Sequence, residues 1–249
     1  MLKTNFSKLL TLAVVIMTMA SCSDDKGDMN INFKLTYDDA PMVMFQEYDY
    51  PSGGKFFLSR VSFYISDLAL DDEIIKDVDY LDFTNSHASA ATAADGLDYL
   101  IQDIPAGVYG SFKYSMGVPP ADNAKNPADF DSSSALSRSG EYWDAWQSYV
   151  FFKIEGMSDL DGDGTFDDGF SLHIGGDEVY AELSANVATQ INADEQINRS
   201  IQIAMDEVFN NAGVIYDLEN FPGLHSKVNH LDQMQELMTN IAGATSIVQ

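Results

Sequence analysis

The sequence predicts a mainly β protein, an antiparallel β-sandwich with one C-terminal helix and long loops. Three observations support this fold class. Apolar and polar residues alternate over several segments, which is the period of a strand with one buried face. Clusters of glycine, proline and aspartate separate these segments, as turns do. Helical spacing of apolar residues is strongest near the C-terminus.

The strand pattern is interrupted in one place. Within the second strand the apolar residues change parity after Ile65, which predicts a β-bulge near Ser66 and Asp67. The near-continuous apolar run at 150–154 is typical of a central strand. Strands are expected at residues 31–37, 57–70, 108–116, 150–154 and 200–209.

The helix and two long loops complete the predicted fold. Apolar residues at helical spacing cover 231–241, and Gly243 follows as a stop signal. The small-residue stretch 86–95 is expected to be a loop, with His87 facing solvent. A polar connection at 119–140 is long for a compact domain, and such loops tend to be functional or mobile.

The first 21 residues have the character of a bacterial lipoprotein signal. A short basic region precedes an apolar run too short to span a bilayer, and small residues lead into Cys22, the only cysteine in the chain. We therefore expect a signal peptide at 1–21, lipidation of Cys22 and attachment to a membrane through lipid chains. An ordinary secretory signal with an incidental cysteine is the alternative. An acidic tether is expected at 22–29 and one domain at 30–249.

The acidic run after the cysteine resembles the export tag of Bacteroidetes lipoproteins. This resemblance implies a cell-envelope protein in the outer membrane, on either its inner or its surface-exposed side. The formal net charge of −26 disfavours nucleic acid and anionic lipid as partners. No GxSxG or HExxH motif is present, and Cys22 is assigned to the anchor, so the sequence predicts a protein that is not an enzyme.

An aspartate-rich segment predicts a structural calcium site. Calcium takes six to eight oxygen ligands, and carboxylates at alternate positions of a turn can surround it. Gly164 allows the sharp bend, but Phe170 stands where a complete EF-hand loop has its bidentate glutamate. The alternative is a solvated acidic turn without an ion. The expected ligands are Asp159, Asp161, Asp163, the carbonyl of Thr165, Asp167 and Asp168.

Both tryptophans and one histidine lie close to this segment. Trp143 and Trp146 precede an apolar strand, where indoles are also common as core anchors. His173 lies on the next predicted strand, where a hydrogen-bonded structural role is the alternative to a metal ligand. His225 and His230 are five residues apart, which does not place two imidazoles on one helix face.

Several segments, in this order, resemble the copper-binding MbnP-like domain family. The resemblance extends over most of the chain after the signal, and its strongest pieces are a paired-tryptophan segment running into Glu-Gly and a strand containing Phe-x-x-His-x-Gly. The matching segments are INFKLTY, FFLSRVSFYISDLAL, IPAGVYGSFKYSMGVPPADN, YWDAWQSYVFFKIEG, FSLHIGG and IYDLEN.

The resemblance implies a secreted or lipid-anchored β-sandwich whose relatives bind copper. Some relatives use histidine and a tryptophan oxidised to kynurenine by a partner di-haem peroxidase. The positions that match such roles are Trp143, Trp146 and His173, with His225 and His230 as weaker additions. We therefore expect a lipid-anchored metal-binding protein with calcium and copper as cofactors. The alternative is a surface-binding or adhesion module for a glycan or protein, without copper.

Overall fold

The computed structural model describes residues 25–248, so the expected signal peptide and Cys22 lie outside the described residues. Within this range, no helix combines the length and apolar character needed to cross a membrane. The strands are β1 (Lys26–Tyr37), β2 (Ala40–Pro41), β3 (Tyr48–Asp49), β4 (Lys55–Leu70), β5 (Glu73–Asp82), β6 (Leu97–Pro105), β7 (Gly107–Tyr109), β8 (Phe112–Met116), β9 (Tyr142–Trp143), β10 (Ser148–Asp159), β11 (Asp168–Gly175), β12 (Ala181–Ala185), β13 (Thr189–Ile191), β14 (Gln196–Ala204), β15 (Asn210–Asn211), β16 (Val214–Ile215), β17 (Gly223–Leu224) and β18 (Thr245–Val248). The helices are α1 (Ala90–Asp95), α2 (Pro120–Asn123), α3 (Met205–Phe209) and α4 (Leu231–Gly243).

Two sheets carry most of the strands. The small sheet has the order β18-β14-β1-β2, with β6 also paired to β1. The large sheet has the order β12-β8-β4-β10-β11-β17, with β3 and β5 on β4 and β9 on β10. Most pairs are antiparallel, but β1 pairs with β14 and β11 with β17 in parallel. The mainly β fold is confirmed, and its sheets are mixed rather than purely antiparallel.

Aromatic side chains fill the space between the two sheets. Phe33 on β1 makes an edge contact with Phe63 on β4, with ring centroids 6.3 Å apart. Phe63 in turn stacks on Phe152 of β10 at 4.8 Å. All three side chains are fully buried. Such rings contribute large buried areas and favour offset or edge contacts, so they account for much of the hydrophobic stabilisation of the sandwich.

The predicted bulge and C-terminal helix are confirmed. The pairing of β4 with β8 shifts register between Ser66 and Ala69, and Asp67 between them has a positive φ of 48°. The helix α4 buries Met234, Leu237, Met238 and Ile241, as its periodicity indicates.

The boundary of the first strand differs from the prediction. The strand β1 begins at Lys26, so residues 26–29 of the expected 22–29 tether belong to the sheet. Their backbone pairs with β14 and β6, and Met29 is fully buried. Met29 continues the alternation of buried and partly exposed residues seen along β1. The acidic residues that precede it had indicated a tether instead.

Three further local predictions are wrong. The segment 86–95 contains the short helix α1, which Ser89 and Thr92 cap reciprocally. His87 does not face solvent, because its Nε2 accepts the backbone N–H of Leu35 at 3.0 Å and the residue is fully buried. The strand expected at 200–209 ends at Ala204 and continues as α3, which packs against α4.

Candidate metal centre

The candidate site lies on the outer face of the large sheet. Successive side chains of a strand point to opposite faces, and Phe152 and Ile154 of β10 belong to the core. Lys153 and Glu155 therefore point away from the small sheet. In register with them, His173 lies beside Lys153 on β11, and Ser171 lies beside Glu155. This arrangement places a row of polar and ionisable side chains on one face.

Four aromatic rings meet over this row. Trp143 lies 4.5 Å from Trp146, 5.0 Å from His173 and 5.7 Å from His225, measured between ring centroids. The two imidazole centroids are 5.4 Å apart. We call these residues the four-ring cluster. Their sequence positions span β9, the following turn, β11 and the segment after β17, so tertiary structure assembles the cluster.

Close backbone approach fixes the position of Trp146. A β-carbon at residue 175 would lie 2.4 Å from the carbonyl oxygen of Tyr149 and 3.2 Å from Cζ3 of Trp146, so this position requires glycine. The indole Nε1 of Trp146 donates to the carbonyl oxygen of His225 at 3.3 Å. The turn at residues 144–147, which carries Trp146, is called the tryptophan turn. This bond joins the tryptophan turn to the segment after β17 that carries His225.

Each imidazole has a polar partner on the sheet. His173 Nε2 lies 2.7 Å from Glu155 Oε1. His225 Nε2 lies 2.7 Å from Ser171 Oγ. Among the described residues, His173 Nδ1 is buried without a hydrogen-bond partner. An unpaired buried polar atom costs free energy, so a ligand, an ion or an ordered water molecule would stabilise it. The Nδ1 atom of His230 is also buried without a partner among these residues.

The electrostatics favour an ionised carboxylate at Glu155 and a neutral imidazole at His225. The hydrogen bond from His173 lowers the pKa of Glu155, against the opposing effect of burial. Burial lowers the pKa of His225, and the nearby His173 and His230 add to this effect. A neutral imidazole has a free nitrogen lone pair, which is the form that binds a metal.

A buried ion-pair network lies beside the cluster. Glu141 accepts Arg60 Nη2 at 3.0 Å and lies 2.6 Å from Lys153 Nζ. Lys153 and Glu141 are both buried. Removing one member of such a pair would leave an uncompensated charge, so the network fixes the segment that leads into Trp143.

The structure brings together four of the five residues expected at a copper site. His230 lies at the N-terminus of α4 and contacts Phe221, with centroids 6.5 Å apart, rather than the other rings. The sequence reasoning missed Glu155 and Ser171 as partners of the imidazoles. Polar residues at alternate positions of an otherwise apolar strand were the available signal for Glu155.

The expected calcium loop connects β10 and β11. Ligand oxygens of Asp159, Asp161 and Asp163 lie within 4.8 Å of one another, the one such group of three among residues 25–248. Asp167 and Asp168 are outside that group, and Asp168 already pairs with Ser158 as the first residue of β11. Thr165 donates its backbone N–H to Asp163 at 2.7 Å. Phe170 is buried, in keeping with its unsuitability as a ligand.

The fold and the cluster together define a mainly β protein with a histidine–tryptophan site on a sheet face. The family model for MbnP matches residues 26–226, and the chain therefore belongs to the MbnP family. Among solved structures, the chain is similar to MbnP from Methylosinus trichosporium, with 15% identity and a TM-score of 0.48. That similarity covers 76% of this chain and 80% of the other. Among curated proteins, none matches the sequence.

Proposed function

We propose that this protein binds copper at the four-ring cluster, with His173 and His225 as nitrogen ligands. One observation carries the proposal: His173 Nδ1 is buried, lacks a hydrogen-bond partner among the described residues and belongs to a ring that approaches a second imidazole. Imidazole nitrogens suit copper, and the sole cysteine precedes the domain, so thiolate ligands play no part.

The separation of the imidazoles supports a shared ion. Metal–nitrogen bonds of about 2.0–2.1 Å place two imidazoles on one ion with centroids roughly 5–6 Å apart. The observed 5.4 Å falls in this range. The two histidines supply fewer ligands than copper usually takes, so a further donor is required. The neighbouring Trp143 ring is the nearest group that could supply one after modification.

Trp143 is the better placed of the two indoles for such a modification. Trp143 contacts both imidazoles and is partly exposed. Trp146 is only 6% exposed, and its Nε1 donates a hydrogen bond to the His225 carbonyl oxygen. The family resemblance adds a di-haem peroxidase as the partner that would oxidise an indole to kynurenine. Peroxide used by that partner would be the oxidant: the indole C2–C3 bond would break, and C2 would leave as formate. The product would carry a carbonyl oxygen and an aromatic amine beside the imidazoles. The proposed role of this chain is binding, with the oxidation performed by its partner.

We further propose a lipid anchor at Cys22, a location in the outer membrane and calcium in the loop between β10 and β11. The calcium proposal rests on the three grouped aspartates. The Asp159 carboxylate also accepts the backbone N–H groups of Gly162, Asp163 and Gly164 at 2.8–3.1 Å. These bonds fix the carboxylate while leaving lone pairs for a cation. An ion there would reduce repulsion among the grouped charges.

Copper analysis tests the main proposal. Protein purified from copper-replete cells, with its partner genes present, should contain stoichiometric copper. Intact-mass and peptide analysis should locate an oxidation on Trp143 rather than Trp146. Copper at background in both the modified and the unmodified protein would overturn the copper function.

A second candidate function is recognition of a glycan or protein at the cell surface. Phe45 is 62% exposed, and its ring lies 6.1 Å from Phe57, which lies 5.2 Å from Phe166. Phe57 and Phe166 are half-buried, so the row has one exposed ring at its end. Such a row suits stacking on a sugar or burial in a protein interface. Binding to a glycan array that is lost in Phe45→Ser and kept in His173→Ala would favour this function.

A further inference from the structure

We infer that the Glu155 carboxylate holds His173 in the tautomer that carries its proton on Nε2, which leaves Nδ1 as the metal-binding nitrogen. The metal-binding role of Nδ1 rests on the proposed copper function, whereas the position of the proton does not. The tautomer is a property of the metal-free protein. Glu155 is therefore a positioning residue, which acts through His173 and does not itself touch the ion.

The first step is the contact between the two side chains. Oε1 of Glu155 and Nε2 of His173 are 2.7 Å apart, the short distance of a charge-assisted hydrogen bond. An ionised carboxylate can only accept. The proton of this bond therefore belongs to the imidazole and lies on Nε2.

The surroundings keep Glu155 in its ionised form. Arg60 faces Glu155 in register across β4 and β10, and Lys153 lies two residues away on the same face of β10. Glu155 is also partly exposed, so water contributes to its solvation. Two cations and partial hydration favour the charged carboxylate over the neutral acid.

The other nitrogen completes the assignment. His173 is 8% exposed, and Nδ1 has no partner among the described residues. A proton on Nδ1 would be a buried donor without an acceptor, which costs free energy. A lone pair on Nδ1 can instead bind a metal. Metal-bound histidines commonly donate their second ring N–H to a carboxylate, and this contact fixes tautomer and ring orientation.

His225 provides an internal contrast. Its Nε2 contacts the hydroxyl of Ser171, which can either donate or accept. That contact does not select one tautomer of His225. Of the two contacts, only the one with the Glu155 carboxylate fixes which ring nitrogen carries the proton. His173, unlike His225, is therefore held in one tautomer before a metal binds.

Nitrogen-15 NMR of the copper-free protein tests the inference directly. Long-range proton–nitrogen correlations should show the proton of neutral His173 on Nε2. In Glu155→Gln the amide can donate as well as accept, so a fraction with the proton on Nδ1 should appear. Glu182→Gln, an exposed glutamate on β12 of the same sheet, is the matched control and should leave the spectrum unchanged.

Copper affinity supplies the second readout. Loss of a carboxylate partner typically weakens metal binding 10–100-fold, so we expect about that increase in the copper Kd of Glu155→Gln and no change in Glu182→Gln. A wild-type spectrum with the proton on Nδ1 would overturn the inference without any variant. An unchanged tautomer and Kd in a folded Glu155→Gln protein would also overturn it. A wild-type Nε2 tautomer without copper binding would instead refute the copper function, and with it the metal-binding role of Nδ1.

Discussion

Trp146 packs directly over Gly175, with Cζ3 of the indole 3.2 Å from the position that a β-carbon on residue 175 would occupy. The same β-carbon would lie 2.4 Å from the carbonyl oxygen of Tyr149. A hydrogen at position 175 thus lets the β10–β11 pair and the tryptophan turn approach closely. The position of the four-ring cluster depends on this contact.

We predict that Gly175→Ala destabilises the fold by about 1–3 kcal/mol, the usual cost of overpacking. The methyl group must displace the indole or the backbone of β10, so tryptophan fluorescence should also shift. Urea unfolding and emission spectra measure both effects. Gly140→Ala is the control, because its β-carbon would meet nothing within 4 Å and should change stability by no more than about 0.5 kcal/mol. Equal stability of the two variants would contradict this account of Gly175.

His173→Ala should abolish stoichiometric copper binding, because it removes the buried Nδ1 of the ring that lies 5.4 Å from the His225 imidazole. His230→Ala should retain copper within twofold, since His230 contacts Phe221 and lies outside the four-ring cluster. Metal analysis and competition titration of both purified variants measure these effects. Loss of copper in His230→Ala alone would place the site nearer to the start of α4.

The buried His87 should make stability depend on pH. Burial, with a smaller contribution from Lys34, lowers the pKa of His87 to about 4 from 6.5. The unfolded chain takes up a proton near pH 6.5 while the folded chain does not, so stability falls as the pH drops from 6.5 towards 4. The slope should approach about 1.4 kcal/mol per pH unit from this group.

Urea unfolding between pH 6.5 and 4.5 measures this dependence. His87→Gln removes the titrating group and keeps an oxygen that can accept the Leu35 N–H. The variant should therefore show a slope that is smaller than the wild-type slope by close to one proton. Identical slopes would mean that His87 is protonated in the folded state.

Calcium should stabilise the protein through the loop between β10 and β11. A ligand at 100 times its Kd stabilises the native state by about 2.7 kcal/mol, which differential scanning calorimetry detects as a higher Tm. The double variant Asp161→Asn with Asp163→Asn should lose this response, because two of the three grouped carboxylates become neutral. Asp194→Asn, an exposed aspartate elsewhere, should retain it. No calcium-dependent heat or Tm change in the wild-type protein at millimolar calcium would refute the calcium proposal.

Much of the fold could be predicted from local pattern. Period-two alternation located β1, β4 and β8, and the near-continuous apolar run at 150–154 located β10. The parity change after Ile65 located the bulge at Asp67. These features are encoded by neighbouring residues, so they can be read without knowing the fold. The parallel pairing of β1 with β14 was missed, because partners about 168 positions apart leave no local trace. The burial of His87 was missed for the same reason, since its partner is the distant Leu35.

The sequence alone determined the chemistry available to this protein: two tryptophans, four histidines, a single cysteine before the domain and an aspartate-rich turn. It also indicated that Trp143, Trp146 and His173 lie near neighbouring strands. Only the tertiary structure decided that His225 joins them, that His230 does not, and that Glu155 rather than solvent faces Nε2 of His173. The physical reason is that side-chain type and period are local properties. Contacts across β10, β11 and the segment after β17 depend on sheet register and on packing between distant parts of the chain.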